Sequence, residues 1–139
     1  MKLLIKQACI TDPLSSHQGT IRDIFIDQGI VREIAPAIQD RKADKIIEAS
    51  GLVVSPGWVD IFSHFAEPGY EFKETLETGS RAAAAGGFTD VFLIPDTNPV
   101  TDNKTQVEWL RRRSESLPVN IWPIGAGTDN RKGKQLAEM

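Results

Sequence analysis

The residue types and spacing that could do chemistry lie in one short stretch. It reads Ser55-Pro56-Gly57-Trp58-Val59-Asp60-Ile61-Phe62-Ser63-His64-Phe65-Ala66-Glu67-Pro68-Gly69, with Asp60, Phe62 and His64 at alternate positions. On an extended strand these three face one side. Pro68-Gly69 marks the following loop, so they stand at the strand's C-terminal end, where parallel α/β proteins gather active-site groups. Alternate side chains on a strand can converge on one ion, and imidazole suits zinc. His64 is the candidate metal ligand, but a single histidine seldom holds zinc, because stable sites take three or four ligands. The competing reading is a histidine hydrogen-bonded at the mouth of the strand. Asp60 reads as a structural acid that bonds nearby backbone. Asp96, in Ile94-Pro95-Asp96-Thr97-Asn98-Pro99, is a candidate replacement ligand, or else a turn-former.

Other residues carry less. Cys9 sits in an apolar, strand-like stretch and reads as a small buried residue, not a nucleophile. His17 follows Ser15-Ser16 and is expected in solvent. Trp58, Trp109 and Trp122 are core or interface candidates. Gly127 to Lys134 superficially resembles a phosphate loop, but five residues separate Gly127 from Gly133, and Gln135 stands where Ser or Thr is required. Nucleotide binding there is rejected.

The elements that position these residues change character along the chain. Residues 1–55 read as β. Leu3 to Ile10 is apolar and broken by Thr11-Asp12-Pro13. Ile21 to Ile26 and Ile30 to Ile34 flank the tight turn Asp27-Gln28-Gly29, a hairpin signal. A polar stretch from Gln39 to Lys45 leads to Ile46 to Ala49 and then Leu52 to Val54. Short strands joined by turns imply a small sheet or sandwich. Residues 56–139 alternate strand and helix instead. Trp58 to Phe65, Phe88 to Ile94 and Val119 to Ile124 read as strands. Lys73 to Ala85, stopped by Gly86-Gly87, and Asn103 to Leu117, stopped by Pro118, read as helices. Phe88 to Ile94 looks apolar enough to be buried on both faces. Gly133 to Met139 is expected to open a third helix. The alternation implies a parallel sheet. The chain is expected to stop inside that helix, as a piece of a longer protein.

Composition bounds the partners. The 139 residues are 40% hydrophobic and 25% charged, ordinary for a globular chain. A net charge of −3 gives no reason to expect nucleic acid or an anionic membrane. Arg111-Arg112-Arg113 reads as a solvated helix face shared with Glu108 and Glu115. One cysteine allows no internal disulfide, no apolar run is long enough to span a membrane, and the expected location is the cytoplasm.

The motif around Asp60 resembles the first barrel strand of the amidohydrolase superfamily, and within it the dihydroorotase family. That family's pattern is Pro-Gly-x-x-Asp-x-His-x-His-x-Arg-Asp/Glu-Pro-Gly. The segment from Glu71 to Thr89 resembles its first helix and second strand, and Ile94-Pro95-Asp96-Thr97-Asn98-Pro99 its Met-Pro-Asn-Thr-x-Pro loop. Pro123 to Ala126 and Leu136 to Met139 are similar too, so the likeness spans essentially the whole chain. It implies an α/β fold: the N-terminal portion of a (β/α)8 TIM-type barrel, incomplete here, preceded by strands of a small β-sandwich domain. In the family, the early strands pair with a C-terminal segment.

Against that pattern the chain departs at three positions. The family's two strand histidines bind a divalent metal, zinc in active relatives, and here they fall at Phe62 and His64. Its substrate-carboxylate arginine falls at Ala66 and its substrate asparagine at Asp96. Phenylalanine has no lone pair, alanine cannot bind an anion, and an ionised aspartate repels one. The resemblance therefore implies a dihydroorotase-like protein of pyrimidine biosynthesis that has lost catalysis, with no catalytic residue and no bound zinc in this chain. Inactive homologues in the family serve as scaffolds for aspartate transcarbamoylase. Self-association, or pairing with the remaining barrel half, is also expected, because an unclosed parallel sheet exposes an edge and an apolar face. The alternative is an active metal-dependent cyclic-amide hydrolase whose remaining site residues lie beyond residue 139.

Overall fold

A computed structural model describes residues 1–38 and 43–138. The chain divides into two compact units, Met1–Pro56 and Gly57–Met139.

The first unit is a single sheet. Its strands are β1 (Lys2–Ile10), β2 (Ile21–Asp27), β3 (Ile30–Ala35), β4 (Lys45–Glu48) and β5 (Val53–Val54). The order is β3-β2-β1-β4, with β5 also paired to β1. β2 lies antiparallel to β1 and β3, whereas β4 and β5 run parallel to β1. The hairpin turn uses left-handed backbone at Gln28 (φ 53°) and Gly29 (φ 76°), the twist that two-residue hairpin loops prefer. Leu4, Phe25 and Ile38 form the buried cluster. Of the polar stretch from Gln39 to Lys45, Gln39 to Lys42 lie outside the described residues. Cys9 is half-buried, and so is His17, which the sequence placed in solvent. The backbone N–H of His17 is taken by Ser15 Oγ and its carbonyl accepts from Thr20 Oγ1, so a tight local turn shields it.

The second unit alternates β6 (Trp58–Ser63), α1 (Leu76–Ala85), β7 (Phe88–Leu93), α2 (Lys104–Ser114) and β8 (Asn120–Pro123). All three strands run parallel, in the order β6-β7-β8. Leu76 and Leu110 of the helices pack with Val91, Leu93 and Ile121 of the strands. β7 is not buried on both faces: Val91 and Leu93 are buried, while Thr89 is exposed and Asp90 and Phe92 lie at intermediate depth. The uncovered face carries Val59, Ile61, Phe62 and Trp122 as exposed apolar side chains. Trp58 and Trp109 are also substantially exposed, so none of the three tryptophans is core.

Helix α1 begins three residues later than the sequence pattern indicates, because Thr75 caps it. The Thr75 hydroxyl accepts from the Thr78 N–H at 3.1 Å, and the Thr78 hydroxyl accepts from the Thr75 N–H at 3.0 Å. The preceding residues close a turn, with Lys73 N–H donating to Tyr70 O. Thr75→Ala removes one of these acceptors and is expected to cost about 1 kcal/mol in a urea melt; an unchanged midpoint would show the cap to be idle. The helix stops at Gly86-Gly87, where Gly87 has φ 84°.

The expected third helix is absent. Residues 133–138 form bends and two isolated bridges, Thr128 with Leu136 and Asn103 with Glu138. Ala137 N–H donates to Gly127 O, and Gln135 O accepts from Asp129 N–H. The groups that would form the first helical turn are thus bonded across the loop, and helix nucleation goes unrewarded.

Candidate functional site at the C-terminal ends of the parallel strands

Strand β6 does not keep strict alternation. Asp60 pairs with Val91 and Ser63 with Leu93, so β6 holds one more residue than β7 across this interval. The bulge breaks the expected side-by-side placement of Asp60, Phe62 and His64. Asp60 turns back on its own strand. Its carboxylate accepts from the Ser63 hydroxyl and, at 2.9 Å, from the Phe62 N–H. Those two bonds, the Ser63 hydroxyl foremost, hold its pKa below the usual aspartate value. Phe62 is 76% exposed, on the uncovered face. His64 lies just past the strand end and is exposed. Its Nε2 lies 2.7 Å from the carbonyl oxygen of Asp96. A carbonyl can only accept, so Nε2 carries the hydrogen.

Asp96 stands in the loop after β7. Its carboxylate meets Arg131 Nη1 at 2.5 Å, with both side chains about half exposed. The expected repulsion of an anion by Asp96 is therefore offset by a neighbouring cation. Nothing in the sequence signals this pair. Arg131 lies 35 residues away, in a loop whose sequence pattern resembles only a failed phosphate loop.

The loop carrying His64 and Ala66 is fixed from both sides. Glu67 is buried, and its Oε2 accepts from the Leu76 N–H at 2.7 Å, binding the start of α1. A carboxylate at a helix N-terminus is favoured by the free N–H groups there. Arg113 of α2, itself half exposed, reaches the same carboxylate at 3.7 Å. Phe65 is buried against α1, where Gly79 makes room: a Cβ there would lie 2.6 Å from its ring. The second acid on the sheet, Asp90, accepts from Trp122 Nε1 at 2.9 Å and Asn120 Nδ2 at 3.0 Å. These bonds, Trp122 first, hold its pKa low. Trp122 also stacks on Phe92, with centroids 6.2 Å apart.

These residues do not fit the metal that the motif implies. Phe62 has no donor atom, and His64 Nε2 is engaged by a backbone carbonyl. Among the described residues, no group of three or more His, Cys, Asp or Glu is placed to hold an ion. Ala66, at φ 60°, is buried and offers no side-chain contact. No described helix is long and apolar enough to cross a membrane.

Comparison with known proteins identifies the family and the fold. A dihydroorotase from Citrifermentans bemidjiense is 43% identical over 141 aligned positions, covering 100% of this chain and 33% of that protein. One from Geobacter sulfurreducens is 40% identical with the same coverage. The chain thus spans about a third of the length of the curated relatives it matches. Among solved structures, the L-hydantoinase (dihydropyrimidinase) from Arthrobacter aurescens superposes with a TM-score of 0.76 at 28% identity, over 91% of this chain and 28% of that one. A dihydroorotase crystal structure shares the fold, with a TM-score of 0.65 at 17% identity, over 93% of this chain and 32% of that one. These neighbours are amidohydrolase barrels, of which the three parallel strands here form the N-terminal portion, preceded by strands of the small β domain. The family model described as dihydro-orotase-like matches residues 51–139, and the chain belongs to that family.

Proposed function

We propose that this chain serves pyrimidine biosynthesis as a dihydroorotase-like protein whose hydrolytic role is lost, acting as a scaffold in the cytoplasm. Aspartate transcarbamoylase is the candidate partner, with self-association or a remaining barrel half covering the exposed apolar face of the second unit. The observation that carries the reading is Phe62: a benzene ring at the position where the family motif needs an electron-pair donor. Ala66 supports it on the substrate side, since a bidentate contact to a carboxylate is lost there. The exposed Val59, Ile61 and Trp122 support a covering partner.

The test has two arms. Purified protein with added zinc is expected to show no ring opening of dihydroorotate above the metal-only blank, and turnover would end this reading. Phe62→His is expected to raise zinc affinity by roughly tenfold, about 1.4 kcal/mol, read by titration against a chelating dye. A flat response would mean that more than one ligand has been lost.

A further inference from the structure

Helix α2 buries Leu110 and Ser114 and leaves a second stripe of side chains that its own packing does not use. Thr105, Trp109, Arg112 and Arg113 recur at three- and four-residue spacing, so they share one face. Two depressions meet at Trp109. One, of about 220 Å³, is lined by Pro68, Pro99, Thr105, Trp109 and Leu110 and is almost wholly apolar. The other, of about 430 Å³, lies among Glu108, Trp109, Arg112 and Arg113. Trp109 is 43% exposed. Its indole N–H has no partner among the described residues, whereas that of Trp122 is held by Asp90. The charges beside it are unspent too. Residues 104–115 carry four cations and two carboxylates, in a chain whose net charge is −3. Glu108 is met by Lys104 at 3.9 Å, and Arg113 meets Glu67 at 3.7 Å. Arg111 and Arg112 are exposed, and their guanidinium groups have no partner among the described residues, Glu115 included. Cations in a last turn suit the helix dipole. That accounts for their sign, but not for an open tryptophan and an apolar depression next to them.

We propose that this face of α2 is a docking surface for an acidic segment of a partner protein, with one apolar side chain of that segment seated between Trp109, Pro68 and Pro99 and its carboxylates on Arg111 and Arg112. Tryptophan and arginine are the side chains that most often dominate the energy of protein interfaces. A guanidinium takes a carboxylate with two parallel bonds. From Trp109 to Arg112 the helix rises about 4.5 Å, and an extended chain rises about 3.3 Å per residue. The apolar anchor and the nearest carboxylate are therefore close neighbours in the segment. A bare polyanion satisfies the arginines and leaves the apolar depression empty, so a polypeptide fits the surface better. The inference rests neither on the loss of turnover nor on which protein the scaffold reading names.

The experiment is fluorescence anisotropy, with the full chain titrated into the fluorescein-labelled peptide Glu-Glu-Asp-Leu-Glu-Glu-Gly. The same peptide with serine for leucine, and an oligothymidylate of equal charge, are the comparison probes. Circular dichroism melts check that each variant folds, and sedimentation reads self-association. The leucine peptide is expected to bind, and to bind more weakly as salt rises. Arg111→Gln combined with Arg112→Gln is expected to weaken it by roughly tenfold, the scale of charge-assisted contacts. Trp109→Ala is expected to cost a similar factor; should that variant not fold, the serine peptide reads the same contact on the parent chain. Arg81→Gln, whose guanidinium pairs with Glu77 on α1, is expected to change nothing. The proposal is overturned if the leucine peptide does not bind, if the paired arginine variant binds it as the parent does, or if the serine peptide binds equally well. Equal affinity for oligothymidylate would make the surface a general polyanion site and also overturn it. So would a dimer that Trp109→Ala disperses, which would give the face to a second copy of the chain.

Discussion

Gly69→Ala is expected to destabilise the second unit by about 3 kcal/mol or more, the sum of backbone strain and overpacking. Gly69 has φ 100°, outside the regions open to alanine. A Cβ there would lie 2.1 Å from the carbonyl oxygen of Asn98 and 2.6 Å from the Asn98 Cβ. A flexible side chain could swing aside; a backbone carbonyl cannot move without its loop. The Asn98 N–H donates to Pro68 O at 3.0 Å, so pushing the loops apart also breaks the bond joining them. These are the loops that carry His64 and Asp96, and the contact between those residues should loosen with them. Urea melts read the stability, and the imidazole resonances of His64 read the site. Gly127→Ala is the control: nothing lies within 4 Å of its Cβ position, and an ordinary surface change stays within about 0.5 kcal/mol. Equal midpoints for the two variants would show that the close approach at Gly69 is not maintained in solution.

What the sequence disclosed follows the range of the interactions involved. The hairpin around Gly29 and the stop at Gly86-Gly87 depend on neighbours within a few residues, so residue type alone points to them. The sequence pattern starts α1 too early because Lys73 and Glu74 are good helix formers, and only the hydroxyl exchange between Thr75 and Thr78 decides where the first turn begins. The third helix failed because its backbone groups found partners across a loop, at Gly127 and Asp129. At the site, chain alternation predicted one face for Asp60, Phe62 and His64, and a bulge set by pairing with β7 broke it. The Asp96 to Arg131 pair joins loops separated by an entire helix and strand, with no local pattern to mark it. Glu67 stood inside the recognised motif, but its bond to the Leu76 N–H needs α1 to pack where it does.

The same limit applies to Asp23, where the largest effect on the first unit is expected. Asp23 is 1% exposed. Its Oδ1 accepts from the Gln7 N–H at 2.9 Å and from Gln7 Nε2 at 3.1 Å, and its Oδ2 from the Ile38 N–H at 2.9 Å. Gln7 lies in the register shift of β1 with φ 57°, an unfavourable conformation for glutamine that this carboxylate helps to hold. Asp23→Ala leaves two backbone N–H groups without their acceptor, and Ile38 is itself in the buried cluster; a loss of about 3 kcal/mol is expected. Burial pushes the Asp23 pKa up, but the bonds from Ile38 and Gln7, with the Lys6 charge, outweigh it and leave it below the ordinary value. A carboxylate with a depressed folded pKa contributes stability above its unfolded value, near pH 4, and that contribution fades as pH falls through the folded value. The parent chain should therefore lose stability more steeply below about pH 4 than Asp23→Asn, which has no charge there to lose. Parallel stability curves for the two proteins across that range would mean that the charge on Asp23 contributes nothing, and that its place in the sheet is held by shape alone.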